Sequence, residues 1–462
     1  MIYCATHIRA LAGREGESIV KRLGSYAVTA AAALAGFALS IGVAAAAPAA
    51  TSASPPNNFT ADEQTPAAMA KPKAAFAGQT DAPARKSTTQ LAVTTVTAGL
   101  ASPWSLAFLP DGKMLVTESR GTMRIVTRDG VQSAVDGVPP VKVVAAQGLH
   151  DVVLDPDFSH NRLIYFSFFA PPSGEAAASW PNEFAYDRVF NVSVAERRRF
   201  RLGMEEVARA RLSEDEKHLE NVTIILEGAE RRLAFAPDGT LYATGADRFR
   251  FYNSDLSGGR NGYESNLTIR ENFAGRISRI NTDGSIPKDN PFLDDPLVPP
   301  DVYAFGVRDP EGAAINPKTK ELWEVEHGPA GGDELNVIRS GRDYGWPVIS
   351  YGLQYTTGKP VGSRRTAMPG MEQPLYYWFP DVAPSGLLFY TGDRFPEWKG
   401  NLFVGSLAAH ALIRLVIEGD RVVGEERLLA ERNQRIRDVR QGPDGAIYLL
   451  TTDGSLLTLA HK

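Results

Sequence analysis

The chain has 462 residues, a formal net charge of −5 at pH 7, 22% charged and 43% hydrophobic side chains, and one cysteine. That length exceeds one ordinary compact domain unless the fold is a repeat or a large β architecture. The mildly acidic balance excludes a typical nucleic-acid binder, which presents a basic footprint.

In chain order, the first element is an export signal. Lys21 and Arg22 precede an Ala-rich apolar run from about Tyr26 to Val43 that ends in "AAAAPAA". A basic region, a short apolar core and a small-residue cleavage site predict a secretory signal peptide over residues 1–48. The apolar core is short for a membrane anchor, the alternative reading. Its removal places the mature protein in the periplasm or outside the cell and takes away Cys4, the only cysteine. Without disulfides, the core or a bound ion has to stabilise the exported chain. Nothing after the signal is apolar enough for stable membrane insertion. Residues 49–88 are rich in Ala, Pro, Ser and Thr without periodicity and predict a disordered linker.

Residues 89–462 read as β throughout, with short Val/Ile/Leu/Tyr runs between Gly, Pro, Asp and Asn clusters. One phrase recurs six times: an apolar strand, a turn and a second apolar strand. The copies are "WSLAFLPDGKMLVTES" from Trp104, "HDVVLDPDFSHNRLIYFSF" from His150 and "RRLAFAPDGTLYATGA" from Arg231. They continue with "EGAAINPKTKELWEVE" from Glu311, "SGLLFYTGDRFPEWKGNLFVGS" from Ser385 and "RDVRQGPDGAIYLLTT" from Arg437. Asp-Gly between apolar runs marks a hairpin, because Gly tolerates the positive φ of a tight turn. Six such hairpins predict an all-β fold, a six-bladed β-propeller, rather than a pair of sandwiches. Residues 193–220 break the pattern with a dense run of charge and a partly helical composition, and are expected to form a surface excursion.

In a propeller, ligands bind on loops near the axis, between the repeated hairpins. The densest such loop is "EVEHGPAGGDELNVI", Glu324–Ile338. Its glycines and proline expose carbonyls beside His327, Asp333 and Glu334, an oxygen-rich set suited to Ca²⁺; the alternative is a turn with solvated acids. In "NQRIRDVRQGPDG", Arg435 and Arg437 stand at i and i+2, so an extended strand aims both guanidiniums one way, toward a multi-carboxylate ligand. A surface arginine pair is the plainer reading. Two further loops carry Arg308 in "AFGVRDPEG" and Gln147, His150 and Asp151 in "AQGLHDV". A lone histidine such as His150 is more often structural than catalytic. The chain contains no esterase elbow, P-loop, Rossmann fingerprint or HExxH motif.

Together, "SPWSLAFLPDGKMLVTE", "AFGVRDPEG", "ELWEVEHGPAGGDELNVI", "YGWPVISYG", "VAPSGLLFYTGDRFPEWKGNLFVGSL" and "RIRDVRQGPDGAIYLLT" resemble the soluble aldose sugar dehydrogenases, from about Leu91 to His461. These are exported bacterial quinoproteins related to soluble glucose dehydrogenase. The resemblance implies a six-bladed propeller that uses pyrroloquinoline quinone (PQQ) and Ca²⁺ to oxidise the C1 hydroxyl of aldoses to lactones, with electrons passing to an unspecified acceptor. It implies that Arg435, Arg437 and Arg308 bind the cofactor. It also implies that the carbonyls of Gly328 and Pro329, with Glu334, serve the metal. Gln147, Asp151, Asp333 and Tyr376 fall at its substrate positions.

The family's general base is a histidine in a motif that reads roughly "HFGxRLxFxPDG". The ungapped match here is "GAERRLAFAPDG", which puts Gly228 at that place and leaves His327 and His150 as substitutes. Val307, Asp309 and Glu311 replace the His, Asn and Gln of "GHRNPQG", Ala408 replaces a lysine, and Asp381 replaces a serine or threonine. Acids beside a tricarboxylate are expected to repel it. Three readings follow: a working quinoprotein sugar dehydrogenase, a propeller that binds sugar or cofactor without efficient turnover, and a calcium-dependent lactonase-like propeller.

Overall fold

The computed structural model describes residues 71–143, 148–171, 204–228, 231–246, 275–354, 358, 360–361 and 365–462. The expected signal peptide, residues 49–70 of the expected linker, and Gln147 lie outside them.

Strand β1 (Leu91–Thr97) is followed by four strands that make the first blade: β2 (Pro103–Phe108), β3 (Met114–Glu118), β4 (Thr122–Val126) and β5 (Gln132–Val135). The second blade is β6 (Leu149–Leu154), β7 (Leu163–Ala170), β8 (Met204–Leu212) and β9 (Leu219–Gly228). The third is β10 (Leu233–Phe235), β11 (Leu241–Thr244), β12 (Arg276–Ile280) and β13 (Val302–Phe305). The fourth is β14 (Pro310–Ile315), β15 (Leu322–Glu326), β16 (Asp333–Ile338) and β17 (Tyr376–Trp378). The fifth is β18 (Pro384–Phe389), β19 (Leu402–Ser406), β20 (Leu412–Ile417) and β21 (Val422–Leu428). The sixth takes β22 (Ile436–Gln441), β23 (Ile447–Thr451) and β24 (Leu456–His461) and is completed by β1 from the other end of the chain. The register runs from Leu91 opposite His461 to Thr97 opposite Leu456. This pairing closes the ring of a six-bladed β-propeller and covers a sheet edge that would otherwise stand open.

Each of the six sequence repeats is the first hairpin of one blade. Their turns follow from local chemistry. Gly112, Gly239 and Gly445 sit at φ of 85°, 85° and 76°, where a Cβ would be strained, and each follows an aspartate. In each case that aspartate's Oδ1 accepts the backbone N–H two residues on, at Lys113, Thr240 and Ala446. The alternating side chains then face neighbouring blades. Each of the six interfaces holds its own apolar cluster; for example, Leu115 and Ile125 meet Phe166 and Phe168 between blades one and two.

Two expectations are corrected. Of the surface excursion expected over residues 193–220, residues 193–203 lie outside the described residues and 204–220 belong to the blade: Met204–Leu212 is the third strand of blade two, and β9 begins at Leu219. The period of two is present: Ala208, Ala210 and Leu212 are buried toward blade one, while half-buried Arg209 and Arg211 share the other face with buried Glu205 and Val207, toward blade three. Residues 71–88 are not a free linker. Gln79 is fully buried, with its amide on Pro374 O and its Oε1 receiving Ala75 N and the Tyr351 hydroxyl. Ala84 bridges Glu425 in parallel, so this strap runs along the outer edge of blade five.

Candidate functional site

The first strand of each blade contacts the first strands of its neighbours, so these six strands line the axis. Five of them begin with a register shift: Pro103/Ser105, Leu149/Val152, Pro310/Gly312, Pro384/Leu387 and Ile436/Asp438. Residues skipped by the ladder at these bulges include Trp104, His150, Asp151, Glu311 and Arg437. A bulge releases a side chain from the alternation and re-aims it, and here it turns these groups toward one another at the axial mouth.

Together they form a buried ion-pair network. Arg232 reaches Asp438 at 3.1 Å and Asp151 at 3.5 Å, donates from Nε to Glu311 O, and lies with its guanidinium 3.9 Å from the Trp104 ring centroid. Arg440 bonds Asp438 and Asp151, each at 2.9 Å. Arg231 contacts Glu311 at 3.0 Å and Asp309 at 3.3 Å, and Arg437 reaches the second Glu311 oxygen at 3.0 Å. Burial alone would raise the Glu311 pKa, but Arg231 and then Arg437 outweigh it and hold the carboxyl below its ordinary value. Arg437 is pushed down to about 10 by burial; Glu311 opposes this, and the nearby Arg232, Arg231 and Arg435 add to it. Arg437 therefore stands in a field of like charge, a place that favours an anion.

The acids at Asp309 and Glu311, expected to repel a carboxylate ligand, are thus neutralised by Arg231 and Arg437. Nothing in the sequence reading anticipated the role of Arg231, Arg232 or Asp438. The available signal was the doubled arginine immediately before an axial strand.

The Glu324–Ile338 loop lies beside this network. Arg308 Nη1 donates to the carbonyls of His327 and Gly328 at 2.7 and 2.8 Å, so those two oxygens converge on one cationic group. Convergent carbonyls are part of the oxygen donor set that Ca²⁺ takes, and here the Arg308 guanidinium occupies their point of convergence. Asp333 is fully buried and shapes the loop by accepting Gly328 N, Val382 N and Ala383 N. Gly332, at φ 77°, backs directly onto Gly352, where a Cβ would come within 2.4 Å of the backbone nitrogen. The Ala330–Leu353 bridge pins the same contact.

Behind the loop, Glu326 faces Glu334 across the β15–β16 ladder, and Glu324 faces Asn336. Burial pushes Glu326 up to about 7, against hydrogen bonds from Arg308 N and Asp309 N and the Arg308 charge; burial, and then the Glu326 carboxylate, raise Glu324 and Glu334 well above the ordinary carboxyl range. Asp381 is raised by burial and by the neighbouring Asp333.

The structure brings Arg308, His327, Gly328, Asp333, Arg435 and Arg437 into this region. His327 Nε2 lies 2.8 Å from Pro384 O and Nδ1 lies 3.6 Å from Asp309 Oδ2, so both ring nitrogens face oxygen. Asp309, Glu311 and His327 offer ligand atoms within 4.8 Å of one another. His150 is enclosed against the Trp104 ring, with centroids 5.1 Å apart. The Asp151 carboxylate is taken up internally by Ser105 Oγ, Arg440 and Leu233 N. Pro329 packs against Gly352. Tyr376 stands apart from the axis in β17, the outermost strand of its blade, bonded to Ala82 N and Glu425 in a rim cavity of about 420 Å³. Gly228 ends β9 with no side chain to offer.

The family described as Glucose / Sorbosone dehydrogenase matches residues 100–458. Aldose sugar dehydrogenase YliI of Escherichia coli (strain K12) is 34% identical over 366 residues, which cover 76% of this chain and 88% of that protein. Quinoprotein glucose dehydrogenase B of Acinetobacter calcoaceticus is 26% identical over 424 residues, covering 78% of this chain and 84% of the relative. The apo-form crystal structure of the soluble E. coli aldose sugar dehydrogenase aligns with a TM-score of 0.68 and 32% identity, over 81% of this chain and all of the other.

Proposed function

Because the chain belongs to the glucose/sorbosone dehydrogenase family, we propose that it is an exported quinoprotein that oxidises the C1 hydroxyl of aldose sugars to lactones, with PQQ and Ca²⁺ as its cofactors. The observation that carries this reading is the cluster of guanidiniums at the axial mouth beside the convergent carbonyls of His327 and Gly328. When bound, the quinone would accept hydride from the sugar carbon while the cation stabilises the charge that develops on it.

The residues' own contributions follow from their chemistry. Arg435 and Arg437 hold carboxylates, which suit planar guanidinium forks. Arg308 orders the carbonyl pair and lies 5.3 Å from the Trp346 ring centroid. Asp333 keeps the loop closed around those carbonyls. Gly331 and Gly332 permit the approach of Phe379 and of the Tyr351–Gly352 backbone, which excludes water from behind the site. The signal-like segment at residues 1–48 supports export, and among the described residues no helix is long and apolar enough to cross a membrane.

Proton removal is the weak step. No histidine stands at Gly228, and His327 must leave Pro384 O or turn from Asp309 to accept a proton. Loss of a positioned base costs about 10²–10⁴-fold in rate. That observation favours a second reading, a propeller that binds cofactor and sugar but turns over slowly. The test is reconstitution of the purified protein with PQQ and Ca²⁺, followed by dye reduction with a panel of aldoses. Aldose-dependent dye reduction supports the dehydrogenase. A PQQ spectral change without dye reduction supports the binding-only propeller, and no cofactor-dependent spectral change refutes both.

A further inference from the structure

The guanidinium best placed for an incoming carboxylate already holds one. Arg437 keeps 19% of its side chain exposed while its Nη1 bonds Glu311 Oε2 at 3.0 Å. The other Glu311 oxygen is held by Arg231, itself 1% exposed, and Arg231 also contacts Asp309. Asp309 in turn faces His327 Nδ1 at 3.6 Å. Glu311 lies in the bulge of β14, so its carboxylate is aimed at the mouth rather than into the blade.

We propose that Glu311 is an internal carboxylate that competes with a polycarboxylate ligand for Arg437, and that Arg231 is the counter-charge that keeps it buried there. The Arg231–Asp309–Glu311 unit thereby sets the affinity of the axial site for anions. This rests on the reading of the mouth as a carboxylate-binding site, though not on the identity of the ligand. Two opposing effects follow. Removing the Glu311 charge leaves Arg437 unopposed and raises the net positive charge at the mouth. Removing Arg231 leaves two buried carboxylates beside the ligand position and repels it.

The test measures equilibrium binding of two probes, PQQ and citrate, by tryptophan fluorescence and calorimetry. Glu311→Gln keeps the shape of the side chain and should bind both probes at least about tenfold more tightly than the natural chain. Arg231→Ala should bind them more weakly. A merely structural role for Glu311 predicts weaker binding, never tighter. Because Arg231→Ala takes a buried counter-charge from both Glu311 and Asp309 and can unfold the protein, Arg231→Ala combined with Asp309→Asn and Glu311→Gln supplies the neutral control. That variant should recover binding at or above the natural level. Tighter citrate binding by Glu311→Gln, with PQQ ignored by every form, supports the inference and removes the quinone reading. Equal or weaker binding by Glu311→Gln, or no carboxylate binding by any form, overturns the inference.

Discussion

Blade four holds two groups of buried acids in different states. Asp309 and Glu311, 1% and 2% exposed, sit at the axial mouth against guanidiniums, and Glu311 stays charged. Glu324 and Glu326, 0% and 4% exposed, sit with Glu334 deeper in the blade, and their pKa values are raised. Burial is nearly the same in both places, so burial does not decide the difference. Counter-charge does: at Glu311, arginine side chains contribute more than desolvation costs, whereas Glu324 and Glu334 meet Glu326 and the Asn336 amide, and Glu326 has two backbone N–H donors and the Arg308 charge, which do not offset its burial. A charged mouth suits ligand capture, and a proton-holding interior suits packing.

The comparison can be broken most strongly at Arg232. Its guanidinium bonds Asp438 and Asp151 and covers Trp104, so Arg232→Ala leaves two fully buried carboxylates sharing the single positive charge of Arg440. The expected loss is about 3–5 kcal/mol in chemical denaturation; a loss under about 1 kcal/mol would mean that the axial charges are not the strong members of this fold. A neutral hub gives the next contrast. Gln79→Ala removes the amide that ties the strap to Pro374 and Tyr351, and should cost about 1–3 kcal/mol with no change in salt dependence. A salt-dependent loss would show that the strap acts through charge.

The smallest effect expected at acidic pH is at Glu324. Its folded pKa is raised, so the folded state keeps a proton that the unfolded state releases above the ordinary carboxyl value of 4.5. Its contribution to stability is therefore present below that pH and is lost as pH rises. Glu324→Gln mimics the protonated carboxyl, so its denaturation midpoint should match that of the natural chain near pH 4 and fall less between pH 5 and 8. Parallel midpoints across that range would place Glu324 with the paired acids of the mouth.

The propeller was legible because its cause is local: a turn needs only neighbouring residues, three of the six repeats make it with Asp-Gly at positive φ, and each of the six became the first hairpin of a blade. The strand at Met204–Leu212 was hidden because Glu205, Arg209 and Arg211 alternate with its apolar side chains. The strap was hidden because one buried amide at Gln79 leaves no trace in an Ala- and Pro-rich composition. Within the site, spacing singled out Arg435 and Arg437 and the oxygen-rich loop near His327 as candidates, and the family resemblance gave them roles. Their partners could not. Arg231 meets Glu311 across 80 residues, and Arg232 meets Asp438 across 206.

From the sequence alone came the repeated hairpin and the number of blades, and from the family resemblance came the assignment of candidate residues to carboxylates and a cation. Only the tertiary structure decided which acids stay charged, which arginines are already engaged, and that Tyr376 lies at the rim. Hairpin formation is encoded between near neighbours. A buried charge instead depends on what the ring places beside it, and for Glu311 and Asp151 those partners include arginines of other blades.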